Sequence, residues 1–208
     1  MAQPKILLTR IDDRFIYGQD VELWNEAVGS NLVLIVNDEI AADSRKWAPM
    51  RVAAPEGVWT RFFSVQRTID IIHTATPRQR ILIMVASPAD ALALVKGGVP
   101  ITRISIGHME AGEGKRSATP AVAIDEADVV AFRELRDLGV ELEIRYLPSS
   151  DPDPIDLVIR DTLGTWGRSL CAGLLGASPK AGRLGQSFSP DSEDHLMPSG
   201  KNYAGLLR

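Results

Sequence analysis

Cysteine is nearly absent from this chain: Cys171 is the only one among 208 residues. One thiol excludes an internal disulfide framework and a cysteine-based zinc cluster. Histidine is almost as scarce, and His73, His108 and His195 stand at no metal-ligand spacing, so no metal is expected. There is no basic excess, since 23 Lys and Arg face 27 Asp and Glu for a net charge of −4. A general attraction to nucleic acid or acidic lipid is therefore not expected. No apolar run approaches the ~20 residues of a membrane span. The opening Met1-Ala2-Gln3-Pro4-Lys5 has no apolar stretch of the signal-peptide kind, which makes the cytoplasm the expected location. Neither a Gly-x-Gly-x-x-Gly nor a Gly-Lys-Ser/Thr loop follows any apolar run, so no nucleotide cofactor is expected. Past Trp166 the chain is rich in Gly, Ser and Pro and loses apolar periodicity. The expected organisation is one domain over residues 1–167 and a flexible or disordered tail over 168–208.

What the chain does have is an alternation of short apolar runs with helical patterns. Ile6-Leu7-Leu8, Leu32-Val33-Leu34-Ile35-Val36 and Ile81-Leu82-Ile83-Met84-Val85 read as buried strands, and Val58-Trp59-Thr60-Arg61-Phe62-Phe63 and Ile101-Thr102-Arg103-Ile104-Ser105-Ile106 as the third and fifth strands. Between them lie helical stretches: residues 20–28, with Val21, Trp24 and Val28 on one face; 44–52, broken at Pro49; 64–73; and 89–96, with Ser87 as cap, Pro88 at the first turn and Gly97-Gly98 as the stop. Residues 119–124 read as a short edge strand, 125–138 as a helix capped by Asp125, and 140–146 as a half-exposed edge strand. A linker-like run, residues 148–154, precedes one last helix over 155–163. This order predicts an α/β fold: an open, mainly parallel central sheet with helices on both faces and edge strands near the C-terminal end of the domain.

That topology gives one loop particular weight. Arg10-Ile11-Asp12-Asp13-Arg14-Phe15-Ile16-Tyr17-Gly18-Gln19 lies between the first strand and the first helix. Open α/β sheets place ligands at the carboxyl ends of their strands, beside helix N-termini. Two guanidinium groups there suit a phosphate, two carboxylates can orient them or take a proton, and Gly18 permits close backbone approach. The alternative is a surface loop of solvated ion pairs. The loops at 37–43, 86–88 and 107–109 should gather at the same edge, which makes His108 a neighbour of the first loop.

The decapeptide resembles the active-site loop of the IIB components of the mannose/sorbose family of the bacterial phosphotransferase system. Their pattern is roughly Arg-x-Asp-x-Arg-x-x-His-Gly-Gln. Arg10, Asp12, Arg14, Gly18 and Gln19 match it, and these are the phosphate-binding residues that the resemblance implies. Tyr17 stands where the family has its phosphoryl-accepting histidine. Farther on, Gly107-His108-Met109 departs from the family's Gly-Gly-Met. The resemblance spans roughly residues 4–163.

By resemblance, the partners are a IIA component that donates the phosphoryl group and membrane IIC/IID components that hold the sugar; a homodimer stays open. No cofactor is implied. Imidazole, with a pKa of ~6.5, offers a free nucleophilic nitrogen at neutral pH, whereas a phenol of pKa ~10 is mostly protonated. Tyr17 should therefore alter or abolish the ordinary relay, with His108 as an alternative acceptor. Three readings stand at this point: a IIB component of sugar uptake with altered or lost phosphoryl transfer, a regulatory or binding module that docks on IIA or senses a phosphorylated ligand, and an unrelated α/β enzyme for a phosphorylated metabolite. Whether the chain is an enzyme turns on which of these holds.

Overall fold

The computed structural model describes residues 4–15, 20–155 and 159. Tyr17, Gly18, Gln19 and the expected tail over 168–208 lie outside the described residues. Strand β1 covers Lys5–Asp12 and helix α1 Asp20–Val28. Then come β2 (Leu32–Val36), α2 (Asp38–Ala42), α3 (Trp47–Val52), β3 (Trp59–Phe63) and α4 (Val65–Ile71). They are followed by β4 (Arg80–Val85), α5 (Pro88–Lys96), β5 (Arg103–His108), β6 (Arg116–Thr119) and β7 (Val122–Ile124). The last elements are α6 (Glu126–Asp137), β8 (Glu141–Ile144) and β9 (Asp153–Pro154).

Seven strands form one sheet in the order β3-β2-β4-β1-β5-β8-β9. Every pairing in it is parallel except the last, β8 with β9. The side-chain period of two divides the core between its faces. Leu82 and Met84 of β4 join Val33 and Ile35 of β2 against Trp24 of α1 and Met50 of α3. Ile81, Ile83 and Val85 face the other way, with Leu94 of α5 and Phe132 and Leu135 of α6. Helices thus cover both faces, and the continuous apolar runs are buried on both sides, as parallel strands require.

Local chemistry sets most boundaries. Ser87 accepts from the Asp90 N–H and starts α5 with Pro88 in its first turn. Asp125 and Asp128 exchange side-chain and backbone bonds in a reciprocal cap that starts α6. Pro49 does not break a helix; a tight turn over Ser44–Lys46 leads into α3, which holds Pro49 near its start, where a missing N–H costs nothing.

Three further expectations need correction. The fifth strand runs two residues later than its apolar run, because a turn at the end of α5, with Val99 N–H on Leu94 C=O and Ile101 N–H on Val99 C=O, delays its start. Gly107 and His108 are therefore strand residues, and His108 pairs with Asp12 of β1. Residues 119–124 do not form an edge of the main sheet: β7 pairs with β6 in a separate antiparallel hairpin with Pro120 in its turn. Beside that hairpin, Lys115 Nζ donates to Asp128 at 3.0 Å. Finally, β8 is not the edge, since the two residues of β9 cover it. Of the last expected helix, only Ile155 and Ile159 are described, both buried in the core.

Candidate functional site

The carboxyl ends of β1, β2, β4 and β5 lie side by side, so the 37–43 segment, which is not the expected loop but helix α2 with its caps Asn37 and Asp43, gathers with the 86–88 turn and the end of β5 at the edge that holds the Arg10–Arg14 segment. Arg10 itself is part of the sheet. It is fully buried on the α1 face, where β5 offers Ser105 as its register partner and Gly107 two residues on. These small residues leave room for a guanidinium. Arg10 Nη1 donates to the Arg145 C=O at 2.8 Å and to Ser105 Oγ at 3.3 Å. Nη2 donates to the Tyr146 C=O at 3.1 Å and to Asp12 Oδ2 at 3.4 Å. The Trp24 ring closes one side with its centroid 4.7 Å from Cζ, and Trp24 Nε1 donates to the same Tyr146 carbonyl at 3.2 Å. A buried cation with this many acceptors is a structural support for the sheet around it.

Arg14 is the guanidinium that reaches solvent, with about a third of its side chain exposed. Asp12 grips it in a fork: Nε to Oδ1 at 3.1 Å and Nη2 to Oδ2 at 3.0 Å, with the Arg14 N–H also on Oδ1 at 3.2 Å. Arg14 Cζ lies 5.9 Å from the centroid of the Tyr146 ring. Phe15 then turns the chain with φ of 54°, the one non-glycine residue at positive φ among the described residues, and buries its ring in the α1-face core. A bulky residue in that region costs of order 1–3 kcal/mol and persists where surrounding packing enforces it.

Asp13 and His108 form a second pair. His108 Nδ1 lies 2.6 Å from Asp13 Oδ1, and Asp13 Oδ2 accepts from the Glu110 N–H at 2.6 Å. The expectation that His108 borders the first loop is met for its Asp12–Arg14 part; Tyr17 is outside the described residues. Asp12, Asp13 and His108 each bring one potential ligand atom within 4.8 Å of the others. Both Asp12 oxygens already accept from guanidinium groups, so the donor set is committed to ion pairs and does not fit a cation.

Next to Arg14, a cavity of about 560 Å³ opens towards the loop after β2, bordered by Asp13, Arg14, Asn37, Arg45 and Lys46. Asn37 caps α2 by accepting from the Ile40 N–H at 3.0 Å. Arg45 beside Asp43 holds that carboxyl below its usual range. On the other side, burial pushes the Asp90 carboxyl of α5 up, with Asp38 adding to the effect and Ser87 opposing it. Sequence reasoning missed Trp24, Ser105, Gly107 and Tyr146 as parts of the site. The alternation of small residues at Ser105 and Gly107 in an otherwise bulky strand was the available signal for a partner buried opposite.

A basic, partly exposed fork at the carboxyl edge of a parallel sheet is a setting in which α/β folds handle anions. Residues 6–163 match the family model described as PTS system sorbose subfamily IIB component. The chain belongs to this family. A relative, the N-acetylgalactosamine-specific phosphotransferase enzyme IIB component 2 of Escherichia coli K12, is 43% identical over 146 residues, which covers 70% of this chain and 93% of that protein. The mannose-specific EIIAB component of the same organism is 36% identical over 146 residues, 70% of this chain but 45% of that longer protein. Among solved structures, the IIB domain of the sorbose permease from Klebsiella pneumoniae superposes with a TM-score of 0.72 at 34% identity, covering 76% of this chain and 98% of that one. The IIB-type fold, with its mostly parallel sheet and surrounding helices, is thus shared. Among the described residues no helix is long and apolar enough to cross a membrane.

Proposed function

We propose that this chain is a IIB component of a phosphotransferase sugar-uptake system whose phosphoryl transfer is altered because Tyr17 occupies the acceptor position. The observation that carries the reading is the Asp12–Arg14 fork at the carboxyl edge of β1, on a chain of this family. The donor is a phosphorylated IIA component, and IIC/IID membrane components receive the phosphoryl group through the sugar they hold. Arg14, oriented by Asp12, stabilises charge on the transferring group; Arg10 fixes the loop from within the sheet. A phenol at Tyr17 yields an ester in place of a labile phosphoramidate, so the ordinary relay is crippled. In the limiting case the chain is a regulatory module that docks on IIA without carrying a phosphoryl group.

The Asp13–His108 contact favours a second reading, in which His108 accepts the phosphoryl group. Asp13 fixes the ring through Nδ1 and leaves Nε2 as the nucleophile. In that step the phosphorus–nitrogen bond of the donor phosphohistidine breaks as a phosphorus–Nε2 bond forms, while the proton shared with Asp13 stays on Nδ1.

The test is incubation with phosphorylated IIA, followed by intact mass and acid-stability of the adduct. Wild type, Tyr17→Phe, Tyr17→His and His108→Ala are compared. An acid-stable adduct lost in Tyr17→Phe supports transfer to tyrosine. An acid-labile one lost in His108→Ala supports the second reading. Restored labelling in Tyr17→His alone marks an intact scaffold without its nucleophile. No labelling in any variant, with no binding to IIA, overturns the proposal.

A further inference from the structure

The two edges of the main sheet differ. One edge is β9, two residues long, exposed, and carrying Pro154 and Asp153; short length, proline and charge are the usual devices that block strand addition. The other edge is β3, five residues in regular register with β2 and free of proline or bulge. The Trp59 N–H donates to the Asn31 C=O and the Phe63 C=O accepts from the Asn37 N–H, both at 3.1 Å on the β2 side. Strand alternation therefore turns the N–H and C=O groups of Thr60 and Phe62 to the open side. One of these groups has a partner already: the Thr60 C=O accepts from Arg61 Nη1 at 3.1 Å.

Arginines flank this edge from both layers. Arg51 of α3 stands 5.7 Å from the Trp47 ring centroid, Arg61 is 5.2 Å from that of Trp59, and Arg67 of α4 is 4.9 Å from that of Phe63. All three are exposed, and none forms an ion pair with a carboxylate among the described residues. Stacking on rings holds each guanidinium in place, so little side-chain freedom is lost when it meets an anion. Two cavities open along the strand, about 470 Å³ on the α4 side and about 440 Å³ on the α3 side, and Arg61 borders both. Asp38 is the acid at the second cavity, and one of its carboxylate oxygens, Oδ1, accepts from the Val65 N–H at 2.9 Å. Trp59 is 66% exposed at the start of the edge, although the chain as a whole carries a net charge of −4.

We infer that the open edge of β3 docks an extended acidic segment of a partner protein by strand addition. Backbone pairing with Thr60 and Phe62 supplies affinity, and the incoming side chains alternate between the two cavities. Carboxylates on the segment meet Arg51, Arg61 and Arg67, and an apolar side chain enters the α4-side cavity beside Trp59. The edge N–H groups of Thr60 and Phe62 and the Phe62 C=O favour a peptide over a nucleic acid, which has no ladder to offer, and the Thr60 C=O joins the ladder when Arg61 turns to an incoming carboxylate. This edge lies away from the Arg14 fork, and the inference does not depend on what the loop does with phosphate.

The experiment titrates the isotopically labelled full chain with a peptide of alternating glutamate and valine and follows the amide resonances. Saturable shifts centred on residues 60–63 are expected. The same peptide N-methylated at alternate positions should lose binding, because it cannot pair with an edge. Arg51→Ser, Arg61→Ser and Arg67→Ser combined should weaken the dissociation constant tenfold or more while the rest of the spectrum stays native. No saturable shift at millimolar peptide, equal binding of the N-methylated peptide, equal binding of a lysine–valine peptide or an oligonucleotide, or shifts centred on the Arg14 loop would each overturn the inference. Sedimentation of the peptide-free chain adds a further check: if a second copy already fills the edge, the peptide fails to compete and the acidic-partner assignment is wrong.

Discussion

A β-carbon on Gly107 would stand 1.8 Å from Arg10 Nη2 and 2.2 Å from Cζ. No rotamer of an arginine this buried and this held by acceptors escapes that contact cheaply. Gly107→Ala should therefore push the guanidinium off the Arg145 and Tyr146 carbonyls and destabilise the fold by about 2–4 kcal/mol, the sum of overpacking and lost charged hydrogen bonds. Urea unfolding measures it. Gly112→Ala, where an added carbon meets nothing within 4 Å, is the control and should leave the midpoint nearly unchanged.

Arg10 and Arg14 should separate by readout. Arg10→Lys puts one ammonium where a planar fork reaches two carbonyls and Ser105, and a loss of about 2–4 kcal/mol is expected. Arg14→Ala should cost less, about 1–2 kcal/mol, because Arg14 is a third exposed and the buried Asp12 keeps its bonds from Arg10 and from the residue-14 N–H. Calorimetry with inorganic phosphate should reverse the ranking: Arg14→Ala loses binding. Equal phosphate affinity in wild type and Arg14→Ala would remove Arg14 from the site.

Asp13 should decide the tautomer of His108. Its carboxylate, 2.6 Å from Nδ1, holds the proton on that nitrogen, and nitrogen-15 correlation spectra of the neutral ring should show Nδ1–H and a bare Nε2. Asp13→Asn should shift the population towards Nε2–H. An unchanged tautomer would mean that the contact does not orient the ring.

Asp90 should make stability fall as pH rises. Burial raises its folded-state carboxyl pKa, so the folded chain holds that proton more tightly than the unfolded one. The contribution is fully present below the unfolded value of ~3.9 and is lost as pH climbs through the raised folded value. Asp90→Asn should gain on wild type in urea midpoint as pH rises from 3.5 to 7. A constant difference across that range would contradict the shift.

Much of the fold could be read from the sequence because parallel strands buried on both faces leave unbroken β-branched runs, as Leu32–Val36 and Arg80–Val85 do. The caps at Ser87 and Asp125 were equally legible, since their chemistry is local. What could not be read depends on partners distant in the chain. The end of β5 was set by pairing with β1, so His108 moved from a loop into a strand. The hairpin of β6 and β7 depends on a turn at Pro120 that reads equally well as the entry to an edge strand. At the site, the loop's composition announced the charges but not their division of labour. Burial of Arg10 comes from Ser105, Gly107 and Trp24, and from carbonyls that any residue could supply at 145 and 146.

Those two carbonyls set an order of assembly. Arg10 is joined to acceptors 135 and 136 positions later in the chain. As the protein emerges during synthesis, β1, β2, β3 and β4 are complete long before β8 exists, and through that interval the Arg10 guanidinium faces the sheet without two of its acceptors. Contacts of such separation form late and slowly. Arg10 thus gains its last two buried acceptors only when β8 docks, so a chain interrupted before Tyr146 has most of its sheet and an incompletely held guanidinium within it.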